Sequence, residues 1–270
     1  MRDDYKKILI TGMLITCFYA FTFSIMNIVK WEKDNRKTDE ITNSIKENVI
    51  ITEEISDNSI LINPDSNPNS LYWQLINKNF LNVDISKLVN ENPDVVGWIK
   101  VNGTNIDYPF VHTKNNTYYL NHNINKKYSD AGWIFLDYRN DANLLDKNNI
   151  IYGHSRLDKT MFGSLKNTLK KSWFDNKENH VIKISTVNEN TLWQVFSIYH
   201  VTTDPYYITT NFTDDMDFKK YINKSLNNSI YNFDAKVDNF DTILTLSTCY
   251  GDNRKLVLHA KLIKKEIKNS

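Results

Sequence analysis

The hydrophobic positions of this chain fall into three zones with different patterns. Residues Ile8 to Val29 form a run of 22 residues without a charged side chain, residues 30–69 are mainly polar, and short apolar runs recur from Leu71 onward. A helix needs about 20 apolar residues to cross the hydrocarbon core of a membrane. The first zone therefore predicts an uncleaved transmembrane helix. A cleaved signal peptide is the alternative, but its apolar core usually has about 7–15 residues and an A-x-A-like site after it.

The zones on either side of position 70 predict a linker followed by a folded domain. Residues 31–70 are rich in Asn, Asp, Glu, Lys and Ser, and most of them lack the apolar surface that offsets the entropy of ordering. Basic residues flank the apolar run on both sides, so the positive-inside rule gives no orientation. The short N-terminal tail makes an extracytoplasmic C-terminal domain the simpler topology. We predict a cytoplasmic tail and anchor over 1–30, a polar linker over 31–70 and a folded domain over 71–270, in a single-pass protein of the cell membrane.

The pattern after residue 70 predicts a mainly β domain. Helical spacing appears first, in Leu71–Phe80 and again in Ile85–Val89, and one later helix is predicted from about Asp214 to Leu226. Many short strands with few helices are typical of a barrel or a sandwich. Turn residues separate the β-type runs, of which examples are Val95–Val101, Ile106–Val111, Trp133–Leu136, Ile150–Tyr152, Val181–Ser185, Leu192–Val201, Thr242–Leu246 and Leu256–Ile263.

Charge and motif content argue against several classes of function. The chain has 33 basic and 32 acidic residues and a formal net charge of +1, whereas a nucleic-acid binder normally presents a strongly basic face. The sequence contains no CxxC pair, no HExxH, no cluster of histidine and carboxylates at ligand spacing, and no glycine-rich phosphate loop. We therefore expect no nucleic-acid partner, no metal and no cofactor.

The two cysteines differ in their setting. Cys17 lies in the predicted membrane helix, which leaves Cys249 as the single cysteine of the folded domain. A leftover cysteine in an exported protein indicates an intermolecular disulfide or a free reactive thiol. A buried cysteine that acts as a small hydrophobic residue is the alternative. Residues 241–248 alternate like a half-buried strand, and Cys249 stands where this strand gives way to a loop, so its thiol could meet a substrate at the mouth of a barrel.

A nucleophilic cysteine needs a cationic or hydrogen-bonding neighbour, and two residues are candidates by their position. Among six histidines, His154 differs because it follows the run Ile150–Tyr152 and Gly153 and opens a loop, again at a strand end. Arg254 lies five residues after Cys249, where a guanidinium could donate hydrogen bonds to a developing oxyanion. A solvated basic residue at the start of the last strand is the alternative for Arg254.

Several ordered motifs resemble those of class B sortases. Thr245-Leu246-Ser247-Thr248-Cys249 is similar to the TLxTC signature of sortases, and Tyr152-Gly153-His154 is similar to their YGH histidine motif. The serine within TLSTC, the helical N-terminal extension and the late helix point to class B. Further similar segments extend the resemblance over roughly Leu71 to Ile263, and they are Ile106–Val111, Tyr118–Leu120, Ile134–Asn140 and Thr160–Phe162.

The resemblance implies a closed eight-stranded β-barrel with its catalytic residues at one mouth. It also implies a cysteine transpeptidase, of the hydrolase class acting on peptide bonds, that cleaves a sorting motif of secreted proteins at a threonine carbonyl. Cys249 would be the acyl-forming nucleophile and His154 the acid/base. The acceptor would be an amine of peptidoglycan, of a lipid-linked precursor or of a pilin lysine, and the membrane would be a partner through the N-terminal helix. By the same resemblance, the substrate groove falls on Asn116, Leu120, Tyr152, Thr203, Tyr207, Ile208, Ser247 and Thr248.

One position departs from the family pattern. In sortases the catalytic arginine directly precedes a hydrophobic-Val-hydrophobic pattern, and here that register puts Lys255, not Arg254, at the expected position. Neighbouring residues of a strand face opposite sides unless a bulge intervenes. Either a bulge returns Arg254 to the site, or Lys255 takes its place. We expect Arg254, because its planar fork can hold both a carbonyl and the oxyanion, with Lys255 as the alternative.

Two other functions compete with the transpeptidase. A surface thiol protease would release its acyl product to water, and analysis of the products with and without an amine acceptor separates the two enzymes. A sortase-like barrel could also hold a sorting peptide without turning it over, and the change of register between arginine and lysine keeps this binding function open.

Overall fold

The computed structural model of the protein describes residues 2–56, 58–202, 204–251 and 253–268. The chain divides after Asn43 into two compact units. The first unit is part of helix α1, Arg2–Asn48, whose large apolar side chains between Ile8 and Val29 are exposed. By length and composition, α1 is long and apolar enough to cross a membrane. Within it, the hydroxyl of Thr16 donates to the carbonyl of Gly12 at 2.9 Å, which satisfies a polar group without water.

The structure differs from the predicted polar linker over 31–70. The second compact unit begins at Ser44, because Ile45 and Val49 are buried and two short strands follow. These strands are β1, Ile51–Glu54, and β2, Ile60–Leu61. A few scattered apolar residues could not order this segment alone, but they are sufficient to order it when they pack on a larger domain.

The predicted helical stretch over Leu71–Phe80 is only partly helical. Helix α2 covers Leu71–Leu75, and Phe80 instead begins strand β3, Phe80–Val83, which pairs antiparallel with β1. Phe80 still packs against the buried face of α2. Its side chain is therefore buried from a strand, where the spacing predicts that it is buried from a helix. Helix α3, Ser86–Glu91, overlaps the second predicted stretch, Ile85–Val89, and continues two residues beyond it.

Each β-type run of the sequence corresponds to a strand of one barrel. The remaining elements, in chain order, are β4 Val95–Val101, β5 Asp107–His112, β6 Phe135–Leu136, β7 Asn148–Tyr152, α4 Lys171–Asp175, β8 Val181–Thr186, β9 Glu189–Val201, α5 Asp215–Asn228, β10 Ile243–Cys249 and β11 Lys255–Ile267. The strands join in the order β10-β7-β6-β5-β4-β8-β9-β11, and β11 pairs back onto β10. The expected closed eight-stranded barrel is confirmed, and β2 adds a short strand to the far end of β11.

Strand β10 is buried on both faces until its last residue. All side chains from Ile243 to Thr248 are buried, whereas Cys249 is exposed. The predicted half-buried alternation is absent because α5, the late helix of the sequence, covers this side of the barrel. Phe218 and Ile222 of α5 pack in one cluster with Ile243. The only exposed side chain of this strand is therefore that of Cys249, at its carboxyl end.

A buried polar network lies between α5 and the strands. The Thr245 hydroxyl donates to Asn148 Oδ1 at 2.6 Å and lies 2.8 Å from His259 Nδ1. His259 Nε2 lies 2.8 Å from the Tyr199 hydroxyl, so both ring nitrogens have neutral partners. Burial lowers the pKa of His259 to about 3, and burial likewise lowers the pKa of His180 to about 4. Both histidines are therefore neutral in the folded protein near pH 7.

These two histidines predict a loss of stability in mild acid. The unfolded chain takes up a proton at each of them below a pKa of about 6.5, whereas the folded protein does not until pH 4 or lower. The free energy of unfolding should therefore be flat above pH 7 and fall between pH 6.5 and 5, by up to about 1.4 kcal/mol per pH unit for each histidine. Urea unfolding of the full chain in detergent, followed by tryptophan fluorescence, measures this slope. His259→Gln should remove about half of it, and an unchanged slope would contradict the assignment.

Candidate active site

The last residue of β10 and the first residue of β11 face each other across the seam that closes the barrel. Cys249 pairs with Lys255 in the antiparallel register, and the pairing continues without a shift to Ile243 opposite Lys261. The Lys255 ammonium donates to Cys249 Sγ at 3.1 Å. This pair puts a positive charge next to an exposed thiol, the arrangement that a nucleophilic cysteine needs.

Arg254 contacts Tyr250, whereas Lys255 contacts Cys249. Its guanidinium carbon lies 5.1 Å from the centre of the Tyr250 ring, and its carbonyl accepts from the Tyr250 N–H at 2.8 Å. Tyr250 also stacks on His200 at 5.5 Å between ring centres. The bulge that would return Arg254 to the site is absent from the seven described β10–β11 pairs. Arg254 thus holds the turn after Cys249, and Lys255 carries the charge at the sulfur.

His154 enters the same cleft from the end of β7. It lies two residues beyond Tyr152, and its Nε2 lies 2.7 Å from the carbonyl oxygen of Leu120 in a short 3-10 helix, Tyr118–Leu120. Gly132 permits this approach, because a Cβ there would lie 2.5 Å from the Tyr119 carbonyl oxygen and 3.0 Å from the His154 ring. The sequence offered no signal for Gly132, whose importance depends on a contact with a distant segment.

The cleft between these residues has a volume of about 370 Å³. Of the predicted groove residues, Ile208 is absent from the lining and packs with Tyr199 and Val257 instead, and Thr203 lies outside the described residues. Phe135 is a lining residue that the sequence did not single out. The full lining is Asn116, Leu120, Phe135, Tyr152, Gly153, His154, Tyr207, Ser247, Thr248, Cys249 and Lys255.

Hydrogen bonds tie the walls of the cleft to each other. The Thr248 hydroxyl donates to the Gly153 carbonyl at 2.7 Å, which fixes the residue before Cys249 to the residue before His154. The Ser247 hydroxyl donates to the Tyr207 hydroxyl at 3.4 Å. The two strand ends that carry the cysteine and the histidine are therefore held in register by side chains as well as by the β7–β10 pairing.

Asp137 is a fully buried carboxylate directly behind the cleft. Its Oδ1 accepts from Arg139 Nε at 2.8 Å, and its Oδ2 accepts from Arg139 Nη2 and the Tyr152 hydroxyl, both at 2.8 Å, and from Asn116 Nδ2 at 3.0 Å. Burial alone would raise the pKa of Asp137, but these hydrogen bonds, led by those of Arg139, hold it below its ordinary value. The carboxylate is therefore ionised at neutral pH.

Comparison with known proteins identifies the family. A family model described as the sortase domain matches residues 99–263. Sortase B of Listeria monocytogenes serovar 1/2a is 39% identical over 186 residues, which cover 67% of this chain and 74% of that protein. The chain therefore belongs to the sortase family, a family of cysteine transpeptidases.

Solved structures similar to this chain are those of class B sortases. The crystal structure of a Bacillus anthracis protein described as similar to sortase B matches with a TM-score of 0.68 at 34% identity, covering 86% of this chain and 98% of that chain. A Staphylococcus aureus sortase B–substrate complex matches with a TM-score of 0.62 at 37% identity, covering 67% and 84% of the two chains. The resemblance to class B sortases is thus confirmed.

The environment of Gly132 predicts that Gly132→Ala is more damaging than a matched glycine replacement. Gly132 and Gly251 both have left-handed backbone, with φ of 58° and 62°, which costs a non-glycine residue about 1–2 kcal/mol. Only at Gly132 would the new Cβ also meet backbone oxygen, whereas at Gly251 it would meet an arginine side chain at 3.5 Å. Thermal unfolding should show a loss at least 1 kcal/mol larger for Gly132→Ala. Equal losses would contradict the packing account.

Proposed function

We propose that this chain is a cysteine transpeptidase that cleaves a sorting motif of secreted proteins through a thioester at Cys249. The observation that carries the proposal is the exposed thiol of Cys249, paired with the Lys255 ammonium in a cleft that also holds His154. Support comes from the Staphylococcus aureus sortase B structure, which is a substrate complex. The acceptor we propose is an amine of peptidoglycan, of a lipid-linked precursor or of a pilin lysine.

The proposed reaction has two acyl transfers. The thiolate of Cys249 attacks the scissile carbonyl of a threonine residue, and the tetrahedral intermediate collapses when the peptide nitrogen leaves with a proton from His154. This step leaves a thioester on Cys249. The incoming amine then attacks the thioester, loses a proton to His154, and expels the thiolate. His154 thus acts as a general acid in the first transfer and as a general base in the second.

We assign the oxyanion-stabilising cation to Lys255, in place of the Arg254 expected from the sequence. Charge develops on the carbonyl oxygen next to the attacking sulfur, and the Lys255 ammonium lies 3.1 Å from that sulfur. An ammonium is a point charge without the planar fork of a guanidinium, so it stabilises the oxyanion by charge more than by paired hydrogen bonds. Arg254 supports the turn through Tyr250 instead.

This assignment predicts a clear difference between two neighbouring substitutions. Lys255→Ala should lower the single-turnover rate of acylation by about 100–1,000-fold, the usual cost of removing one preorganised donor. Arg254→Ala, which removes a neighbouring positive charge that lies off the cleft, should stay within about fivefold of wild type. Lys255→Arg should recover part of the loss. A large loss in Arg254→Ala alone would reverse the assignment, and normal rates in both would remove the cation from the mechanism.

Product analysis distinguishes the transpeptidase from its two rivals. The full chain in detergent is incubated with a library of threonine-containing peptides, with and without triglycine as the amine. A transpeptidase gives the ligated peptide only when the amine is present. Cleavage to the free acid at the same rate in both cases would favour a thiol protease, and tight peptide binding without cleavage would favour a binding module.

We also propose that α1 anchors the protein, with residues 1–30 as cytoplasmic tail and membrane span and the catalytic domain outside. Cys17 lies in the span, so Cys249 is the thiol that an impermeant reagent would reach. In intact cells, a charged methanethiosulfonate should label Cys17→Ser but not Cys249→Ala, and the protein should remain with membranes after carbonate washing. Labelling that requires cell lysis would contradict the orientation, and full-length protein in the medium would contradict the anchor.

A further inference from the structure

The buried carboxylate behind the cleft connects three separate segments of its wall. Asn116 precedes the 3-10 helix of Tyr118–Leu120, Tyr152 ends β7, and both donate to Asp137. Arg139, which also donates to Asp137, donates through the same Nη2 to the Ile208 carbonyl at 2.9 Å. Ile208 ends the 3-10 helix that carries Tyr207. One carboxylate thus anchors the residues that line the cleft from three directions.

The number of donors makes an ionised carboxylate necessary at this position. Oδ1 accepts from the backbone N–H and from Nε of Arg139, and Oδ2 accepts from Arg139, Tyr152 and Asn116. A carboxylate can accept at both oxygens, whereas a carboxamide accepts at one and donates at the other. An asparagine would therefore place its NH2 against at least two donors in either orientation. Buried groups without partners are costly, so the surrounding side chains would move.

The network also fixes the orientation of the Asn116 amide. Its Oδ1 accepts from the Tyr138 N–H at 2.9 Å, and its Nδ2 donates to Asp137 at 3.0 Å. The amide therefore cannot flip without breaking both bonds. Its second N–H and its second lone pair remain for a ligand in the cleft, and they point in directions that Asp137 determines.

We propose that Asp137 is a positioning residue that sets the peptide-binding walls of the cleft, with Arg139 as its counter-ion and as the link to the segment of Tyr207. Asp137 has no exposed surface, so it acts through Asn116, Tyr152 and Arg139 rather than by touching the peptide. This inference rests on the proposed function only in that the cleft binds a peptide. It assigns Asp137 to substrate binding and not to the chemistry at Cys249.

The test measures kcat, KM and the dissociation constant for a quenched fluorescent peptide library with threonine at the cleavage position, using the full chain in detergent. Asp137→Asn should lower kcat/KM by about 100-fold, the usual scale of one or two lost charge-assisted hydrogen bonds, with most of the loss in KM because the walls of the cleft move. Alkylation of Cys249 by iodoacetamide should stay within about twofold of wild type. A change mainly in kcat, or a slowed alkylation, would overturn the inference.

A double-mutant cycle separates positioning from general destabilisation. If Asp137 acts partly through Tyr152, the change in KM for Asp137→Asn combined with Tyr152→Phe should be smaller than the product of the two single changes. Additive effects would argue against this coupling. If Asp137→Asn does not fold, Arg139→Ala is the replacement, because the arginine side chain is 32% exposed, and it should raise KM by about tenfold.

A matched control is available at the other end of β10. Asp241 is also buried, and it accepts from Asn63 Nδ2 at 2.9 Å and lies 3.5 Å from the Lys261 ammonium. It is eight residues before Cys249, or about 26 Å along an extended strand. Asp241→Asn should lower the melting temperature but leave KM unchanged. An equal rise of KM in both variants would overturn the inference. If the wild-type protein binds the peptide without cleaving it, the proposed function is contradicted. In that case the dissociation constants of wild type and Asp137→Asn for the peptide still test the role of Asp137.

Discussion

The structure depends on the antiparallel pairing that closes the barrel between β10 and β11. Closure leaves β10 with no free edge, buries its side chains on both faces, and brings the residues on either side of a five-residue turn opposite each other. The thiol of Cys249 and the ammonium of Lys255 meet at this point. The contact between this thiol and this ammonium is therefore a consequence of the strand register, and any slip of one residue would replace Lys255 by a side chain facing the other way.

The second constraint is the polar frame behind the cleft. Backbone pairing aligns β7 with β10, but the cleft also uses loops before β6 and after β9, which the barrel does not order by pairing. Asp137, whose side chain has no exposed surface, joins these loops to β7 through its hydrogen bonds with Asn116, Tyr152 and Arg139. A carboxylate that is ionised and fully paired is rigid because each donor would lose a strong, charge-assisted bond by moving. The barrel places the Cys249–Lys255 pair, and this frame fixes the shape of the cleft beside it.

Much of the fold was predictable because periodicity and burial coincide in the barrel. Every β-type run corresponds to a strand, and position at strand ends makes Cys249 and His154 candidates, which the resemblance of their motifs to those of sortases singles out. The start of the folded unit was missed because Ile45 and Val49 are too few to predict order unless their packing partners are known. Phe80 was assigned to a helix because spacing alone does not distinguish two ways of burying the same side chain.

The details of the site were less accessible because they depend on contacts between distant segments. The choice between Arg254 and Lys255 turns on a ring contact with Tyr250 and on the absence of a bulge in the described β10–β11 pairs, neither of which has a sequence signature. Asp137 lies in a segment that resembles the family, yet its five donors come from positions 116, 139 and 152, whose proximity only the fold reveals.

The most direct measurement is the intact mass of the full chain after brief mixing with a threonine-containing sorting peptide. We expect an adduct equal to the acyl portion of the peptide, located on Cys249 by peptide mapping and removed when triglycine is added. Cleavage of the peptide without an adduct on Cys249, or with an adduct on another residue, would contradict it.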